Sequence, residues 1–561
     1  MLRRSSCWWV IAATAVGCGG DDANNAPSIQ GGEIPPQLGA SSGSGGSSSG
    51  LDGRSPGNST GIGGGAGSAG SGGVAEPVVE PEREQENTFR VPVVTGRLIW
   101  AANPVSGRVA LVDALSHEVR TLPAGLEPTY LVAIPGQSQN RALVINQGSS
   151  DATLFRDGDG GELNQAQVPL HQNANAWAIS DSGRWAIAWS DAREFTRLDA
   201  TEGLQDVTVL DLSQDPIVPA RFSVGYRPVK LQINAADNRA YAVTRDGISV
   251  LELGTTPRLL DDIAILSSTD LLSTDSGEPV LDDVPITQDG RFAVVRFDGA
   301  PRLQVLDLSA RTSQVLTLPA EASDVDLAGD GERAVAVIRA TGQVVVFDPA
   351  VAISDPSQVV MHTFTGETLG STALPDSGDT ALLFTNAIDS DRLAILDLLA
   401  PGSASPRVVS LKAPIRAVFP TPEGSYAVAL LETEATSERA GAFSVVPVAD
   451  ALPPKIQGTE APPFSVSLAQ TPAGLRGLVT TRDDVHGIHA AYLVRMPSLQ
   501  VDRIDLPSPP IAVGLLPEFG IGYVAQQHPE GRITFINLET GAPETLTGFE
   551  LADRVVNGDR P

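Results

Sequence analysis

The chain has 561 residues, 42% of them hydrophobic, which is enough apolar material for a large core or for several domains. Its formal net charge of −29 and pI near 4.5 oppose binding to phosphate backbones or bare anionic lipid, so nucleic acid is excluded as a partner. The two cysteines, Cys7 and Cys18, both stand at the extreme N-terminus, which removes disulfides, thiolate metal sites and cysteine nucleophiles from everything after them.

Residues 1–17 read as a signal peptide: Arg3 and Arg4 precede an apolar stretch from Trp8 to Gly17 that is too short to span a bilayer. The stretch ends in Ala15-Val16-Gly17-Cys18, which resembles the lipobox of bacterial lipoproteins, with Ala15 where leucine is commoner. That resemblance implies diacylation of Cys18 as the mature N-terminus, each buried methylene adding roughly 0.8 kcal/mol of membrane affinity. With Gly19 rather than aspartate next, it also implies the outer membrane of a Gram-negative cell, facing either the periplasm or the surface. The alternative is ordinary cleavage after Ala13-Thr14-Ala15 and a secreted or periplasmic product.

Residues 18–88 are dominated by Gly and Ser and can bury almost nothing, so a disordered tether is expected, the lipid anchor being the only membrane attachment. About 70 such residues have a root-mean-square reach of roughly 45 Å. The glycine runs lack the preceding strand and following helix of a phosphate-cradling loop.

From residue 89 to 561 one pattern recurs, clearest at residues 286–308. Asp289-Gly290 supplies a tight antiparallel turn, Phe292-Ala293-Val294-Val295 is apolar on both alternating faces, and Leu303 to Leu308 follows as a third strand. A fourth, more polar strand completes a blade-like unit. The turn glycines Gly290, Gly331, Gly378, Gly424, Gly474 and Gly520 are 41 to 50 residues apart, and no sustained 3.6-residue period intervenes. The fold class is therefore all-β, with ten units as the best count. Unit 1 is expected to lack its first strand, and the segment from Phe549 to Asn557 is expected to supply it and close the ring.

These units resemble the blades of YVTN and WD-repeat-like β-propellers, with a turn, a V-A-V-like strand and V-x-V-x-D, but no WD dipeptide. The resemblance implies a β-propeller of four-stranded antiparallel blades, ten in one ring, or seven to eight if units are miscounted. An acid closes the third strand of most units, as Asp113, Asp211, Glu252, Asp307, Asp348 and Asp397, with Asn537 in the last. Repetition once per blade points to turn amides as their partners rather than to catalysis. Most charges of the template itself, Asp289, Arg296, Asp298 and Asp307, are read as turn and strand-end residues.

No catalytic residue and no metal site is assigned. Two loops hold the raw material for one: Asp157, Asp159 and Glu162, whose carboxylates suit calcium, and Asp483, Asp484, His486 and His489. A solvated polar loop is the preferred reading of both, so no cofactor is expected, with Ca2+ the one alternative. His117, His171, His362 and His528 are scattered, and Trp177, Trp185 and Trp189 are read as blade-to-blade packing rather than a sugar platform.

The functional expectation is a monomeric, lipid-anchored, extracytoplasmic binding or scaffolding module for a protein or envelope component. The alternative is a propeller hydrolase or lactonase-like enzyme, metal-assisted or not, with its site at one face of the central tunnel. The sequence leans away from an enzyme without deciding the matter.

Overall fold

A computed structural model describes residues 91–558, except 137–139, 158–162, 196–203, 266–276, 282, 329–330, 400–405, 434–438, 450–451 and 550–554, with backbone alone for 157 and 555–558. The strands form ten antiparallel sheets, each built from strands consecutive in sequence, which makes a ten-bladed β-propeller. The blades span residues 93–123, 128–169, 176–223, 230–259, 278–317, 324–363, 371–410, 415–459, 463–505 and 510–558. The count of ten holds, and seven or eight blades are excluded.

Alternation along the second strand of blade 5, Phe292–Asp298, explains why both its faces are apolar. Ala293 and Val295 pack toward blade 4, whereas Val294 packs toward blade 6. Ten buried clusters result, each joining two neighbouring blades. Burying one large aliphatic side chain is worth about 1.5–3 kcal/mol, so these seams carry most of the fold's stabilisation.

Closure of the ring differs from the expectation. Blade 1 has its own innermost strand, Val93–Thr95, paired with Leu98–Asn103. The last strand, Val555–Gly558, pairs with Pro543–Thr547 as a fifth, outermost strand of blade 10. The ends are joined by side chains instead: Ile99, Ala101 and Val112 of blade 1 pack with Tyr523, Ile533 and Phe549. Since blade 1 already has four strands, its inner edge has no vacancy for the tail.

The recurring turn is a four-residue one in which the last residue takes a left-handed conformation. In blade 5 the Gly290 amide donates to Thr287 O at 2.8 Å, and Gly290 has φ of 68°. Gly183, Gly331, Gly378, Gly424 and Gly520 repeat it, and Asp237 does so in blade 4. This backbone requirement is what the glycine spacing recorded, except at Gly474, which has φ of 105° and begins the second strand of blade 9 paired with Thr471.

Because each blade runs antiparallel from its innermost to its outermost strand, the first-to-second and third-to-fourth connections share one face of the ring. The second-to-third connections and the links between blades share the other, called here the entry face because every innermost strand starts there. Among the described residues no helix is long and apolar enough to cross a membrane.

Candidate functional site

Third-strand acids are spent on turns. Asp113 Oδ1 accepts from the Leu115 and Ser116 amides, Asp307 Oδ1 from Ser309 and Ala310, and Asn537 Oδ1 from Glu539 and Thr540. Asp211, Asp348 and Asp397 do the same. Burial pushes Asp211 up, but hydrogen bonds from Arg184 and Ser213 outweigh it and hold the carboxyl below its usual range. Glu252 departs from the series, pairing on the surface with Arg258.

Of the two candidate loops, Asp157 ends the third strand of blade 2 on the turn face, and Asp159 and Glu162 lie outside the described residues. Cys18 lies outside them as well. Asp483 to Gly487 instead links the second and third strands of blade 9 on the entry face. The two loops therefore do not share a face.

Blade 9's loop is braced from within. Asp483 Oδ1 accepts from the Val485 and His486 amides at 3.0 Å, and Asp483 Oδ2 meets His486 Nδ1 at 2.8 Å. Led by the His486 hydrogen bond, these contacts hold the Asp483 carboxyl below its ordinary value. Asp484 takes a forked ion pair from Arg482, which also donates to Pro510 O of blade 10 at 3.1 Å and lies over the Phe464 ring. His489 is buried on the following strand, and burial lowers its pKa. Asp483 and His486 thus bond each other, Asp484 is taken up by Arg482 and His489 is buried apart from them, and among the described residues no group of three or more His, Cys, Asp or Glu could hold a metal. At the tip of this stiffened loop Val485 is 87% exposed.

Trp177 packs between blades 2 and 3, whereas Trp185 and Trp189 pack between blades 3 and 4. Trp177 Nε1 also donates to Tyr130 O at 3.0 Å. His171 is buried on the link from blade 2 to blade 3, with Nδ1 2.8 Å from Thr208 Oγ1 and Nε2 3.2 Å from Ser190 Oγ of blade 3. Burial pulls its pKa down to about 4, which leaves a neutral ring in a sealed hydroxyl network.

One charged constellation was not anticipated. Asp283, Arg296 and Asp324 gather on the entry-face side of blades 5 and 6. Asp283 pairs with Arg296, and the guanidinium and Asp324 interact electrostatically. Arg296 stands near the end of the second strand of blade 5, as the template's charges were expected to, and there it also meets acids of the loop before that strand and of blade 6. The missed signal was the acid at alternate positions of Asp324-Val325-Asp326-Leu327, a strand whose other face is apolar and packs on blade 5.

Around the tunnel, the free edges of innermost strands are tied by side chains of the neighbouring blade. Lys230 Nζ donates to Val284 O at 3.1 Å, Ser323 Oγ to Gly370 O at 2.7 Å, and the Asn386 amide to Arg416 O at 3.4 Å. Arg416 itself sits at a bulge in blade 8's innermost strand, open to water yet walled by protein. Burial lowers its pKa, with Glu432 opposing the shift.

No family model matches the chain, and no curated protein matches it. Among solved structures it is similar to a eukaryotic initiation factor at 11% identity, over 84% of this chain and 96% of that one, with a TM-score of 0.44. It is also similar to the dihydro-heme d1 dehydrogenase NirN in complex with DHE, at 14% identity over 67% and 73% of the two chains and a TM-score of 0.40. A third is apo AztD from Citrobacter koseri, at 12% identity over 59% and 89% and a TM-score of 0.34. At these identities and TM-scores the likenesses carry no argument about function, and the ten-bladed propeller rests on the chain's own strand pairing.

Proposed function

We propose that this protein is a lipid-anchored, extracytoplasmic binding or scaffolding module that docks a protein or envelope component on the entry face of its ring. The observation that carries this reading is the blade 9 loop, where an exposed apolar residue, Val485, stands on a turn held by Asp483, His486, Arg482 and Asp484. A side chain displayed on a pre-organised loop loses little conformational freedom on binding, which favours its use as an anchor. Cys18 is the attachment point in this reading, residues 1–17 are the signal peptide, and residues 18–88 form the tether that lets the propeller at 89–561 reach its partner. The outer membrane is the proposed address.

Two measurements test it. Cys18→Ala should move the protein from the membrane to the soluble fraction; unchanged fractionation would remove the anchor. A photo-crosslinking residue at Val485 should give one discrete adduct in whole cells, while the same residue at Leu399, on the opposite face, gives none. Identical adduct patterns from the two positions would remove the docking face.

A further inference from the structure

Two blades set an arginine opposite an arginine at the same place in the sheet. In blade 2, Arg141 begins the second strand and pairs with Arg156 of the third; in blade 9, Arg476 pairs in the same way with Arg495. Residues directly opposed in an antiparallel pair project from one side of the sheet, so each blade places two like charges side by side, a destabilising arrangement unless an anion meets them. Each pair then leans on the next blade at the equivalent carbonyl. Arg141 Nη2 donates to Leu212 O of blade 3 and Arg476 Nε to Leu538 O of blade 10, both at 3.2 Å, and each leucine follows the residue that caps its third-strand turn, Asp211 or Asn537.

Blade 9 balances its pair from within. Arg495 forms an ion pair with Asp502 of the fourth strand and donates to Glu539 O at 3.1 Å, while the other nitrogens of Arg476 donate to Leu475 O and Ala473 O. Register shows what blade 2 lacks: Asp502 lies opposite Leu493, and the corresponding Leu154 lies opposite Ala166. Among the described residues neither Arg141 nor Arg156 forms an ion pair, and the Nε of each is buried without a hydrogen-bond partner. Asp211 in the facing turn of blade 3 is taken by Arg184 and Ser213, and Asp215 of that turn is exposed.

Arg141 is 8% exposed, and burial, with the Arg156 charge behind it, lowers its pKa. Arg156 is half-buried, and Asn164, opposite it on the fourth strand, is exposed, so the row opens to solvent at its outer end. Buried donors without partners and two unbalanced charges have one remedy in common: a dianion that offers an oxygen to each guanidinium. A single carboxylate would balance only one of the charges.

We propose that the Arg141–Arg156 pair, where the seam between blades 2 and 3 meets the turn face, is a binding site for one small tetrahedral dianion of the phosphate or sulfate class. Both guanidinium groups present forked donors to it, Arg141 from the core and Arg156 from the solvent side. The pair lies on the face opposite the blade 9 loop, so this site is separate from the proposed docking surface. Two arginines in a chain of net charge −29 suit a single anionic group, not a polyanion.

Thermal unfolding of the full-length protein in inorganic phosphate, against sodium chloride at the same ionic strength and pH, tests this. Binding to the folded state alone should raise Tm along a saturating curve, by about 1–2 °C once phosphate exceeds its Kd about tenfold. Arg156→Gln should remove the rise, and without phosphate it should melt no lower than the native chain, because it relieves the repulsion. Arg495→Gln, from the pair that Asp502 already meets, should keep the rise. No saturating rise in the native chain overturns the proposal, and is the result expected if an acid of residues 157–162 already occupies the pair. An undiminished rise in Arg156→Gln, or one lost equally in Arg495→Gln, overturns it too, as does an equal rise in acetate. If Arg156→Gln does not fold, Arg156→Lys, which keeps the charge without the fork, should weaken phosphate binding at least about fivefold, and an unchanged Kd overturns the proposal instead.

Discussion

The ring of Phe549 lies against Gly531 so closely that a Cβ at Gly531 would fall 2.5 Å from the phenyl Cε2. Phe549 belongs to the seam between blades 10 and 1, so this contact fastens the last described residue before the tail into the closure of the propeller. Gly531 also has φ of 78°, so Gly531→Ala should destabilise by both clash and backbone strain.

Phe549→Ala should cost about 3–5 kcal/mol, the range for emptying a buried aromatic site. Deleting only residues 550–561 should cost far less, because the strand it removes lies on the outer edge of blade 10. Urea unfolding of the two variants side by side measures the difference. Equal losses would return closure to the tail strand.

Removing a turn acid should have a small, repeatable effect. Asp307→Ala gives up the hydrogen bonds to the Ser309 and Ala310 amides and should lose about 1 kcal/mol. Asp113→Ala should lose a similar amount, and the double variant should show additive losses, since the two turns sit in different blades. A loss beyond about 3 kcal/mol at either position would mean that the acid does more than cap its turn.

His171 gives the stability of the fold a dependence on pH. Its folded pKa, about 4, lies below the unfolded value, so its contribution to stability is fully present above about pH 6.5 and is lost as pH falls from there toward 4. His171→Gln should be weaker at pH 7, having lost contacts to Thr208 and Ser190, yet should lose less on acidification than the native chain. Unfolding curves at pH 7 and pH 5 decide this. An unchanged pH slope in the variant would place the proton elsewhere.

Trp177 joins blades 2 and 3 by packing and by its indole hydrogen bond to Tyr130 O. Trp177→Phe keeps most of the packing and leaves that carbonyl without its donor, so it should lose about 1–2 kcal/mol, whereas Trp177→Ala should lose more. Thermal melting of the pair separates the two contributions.

Much of this was legible in the residues themselves. Strand composition, two-faced apolar runs and the glycine spacing follow from rules that act within a few residues: alternation of side chains and the left-handed turn position at Gly290 and its counterparts. Since every blade obeys the same local rules, the sequence determined the blade, its repetition ten times, and the turn role of acids such as Asp307. What only the tertiary structure decided depends on which blades are neighbours. Asp324 and Thr372 are far apart in the chain, and Arg296 looks like any strand-end charge until blade 6 is set beside it. Ring closure is hidden from the sequence for the same reason: a strand's pairing partner and a seam of side chains both satisfy an edge, and local pattern cannot choose between them. Burial completed the division, because a carboxyl such as Asp324 is pushed up only when neighbouring blades together exclude water from it.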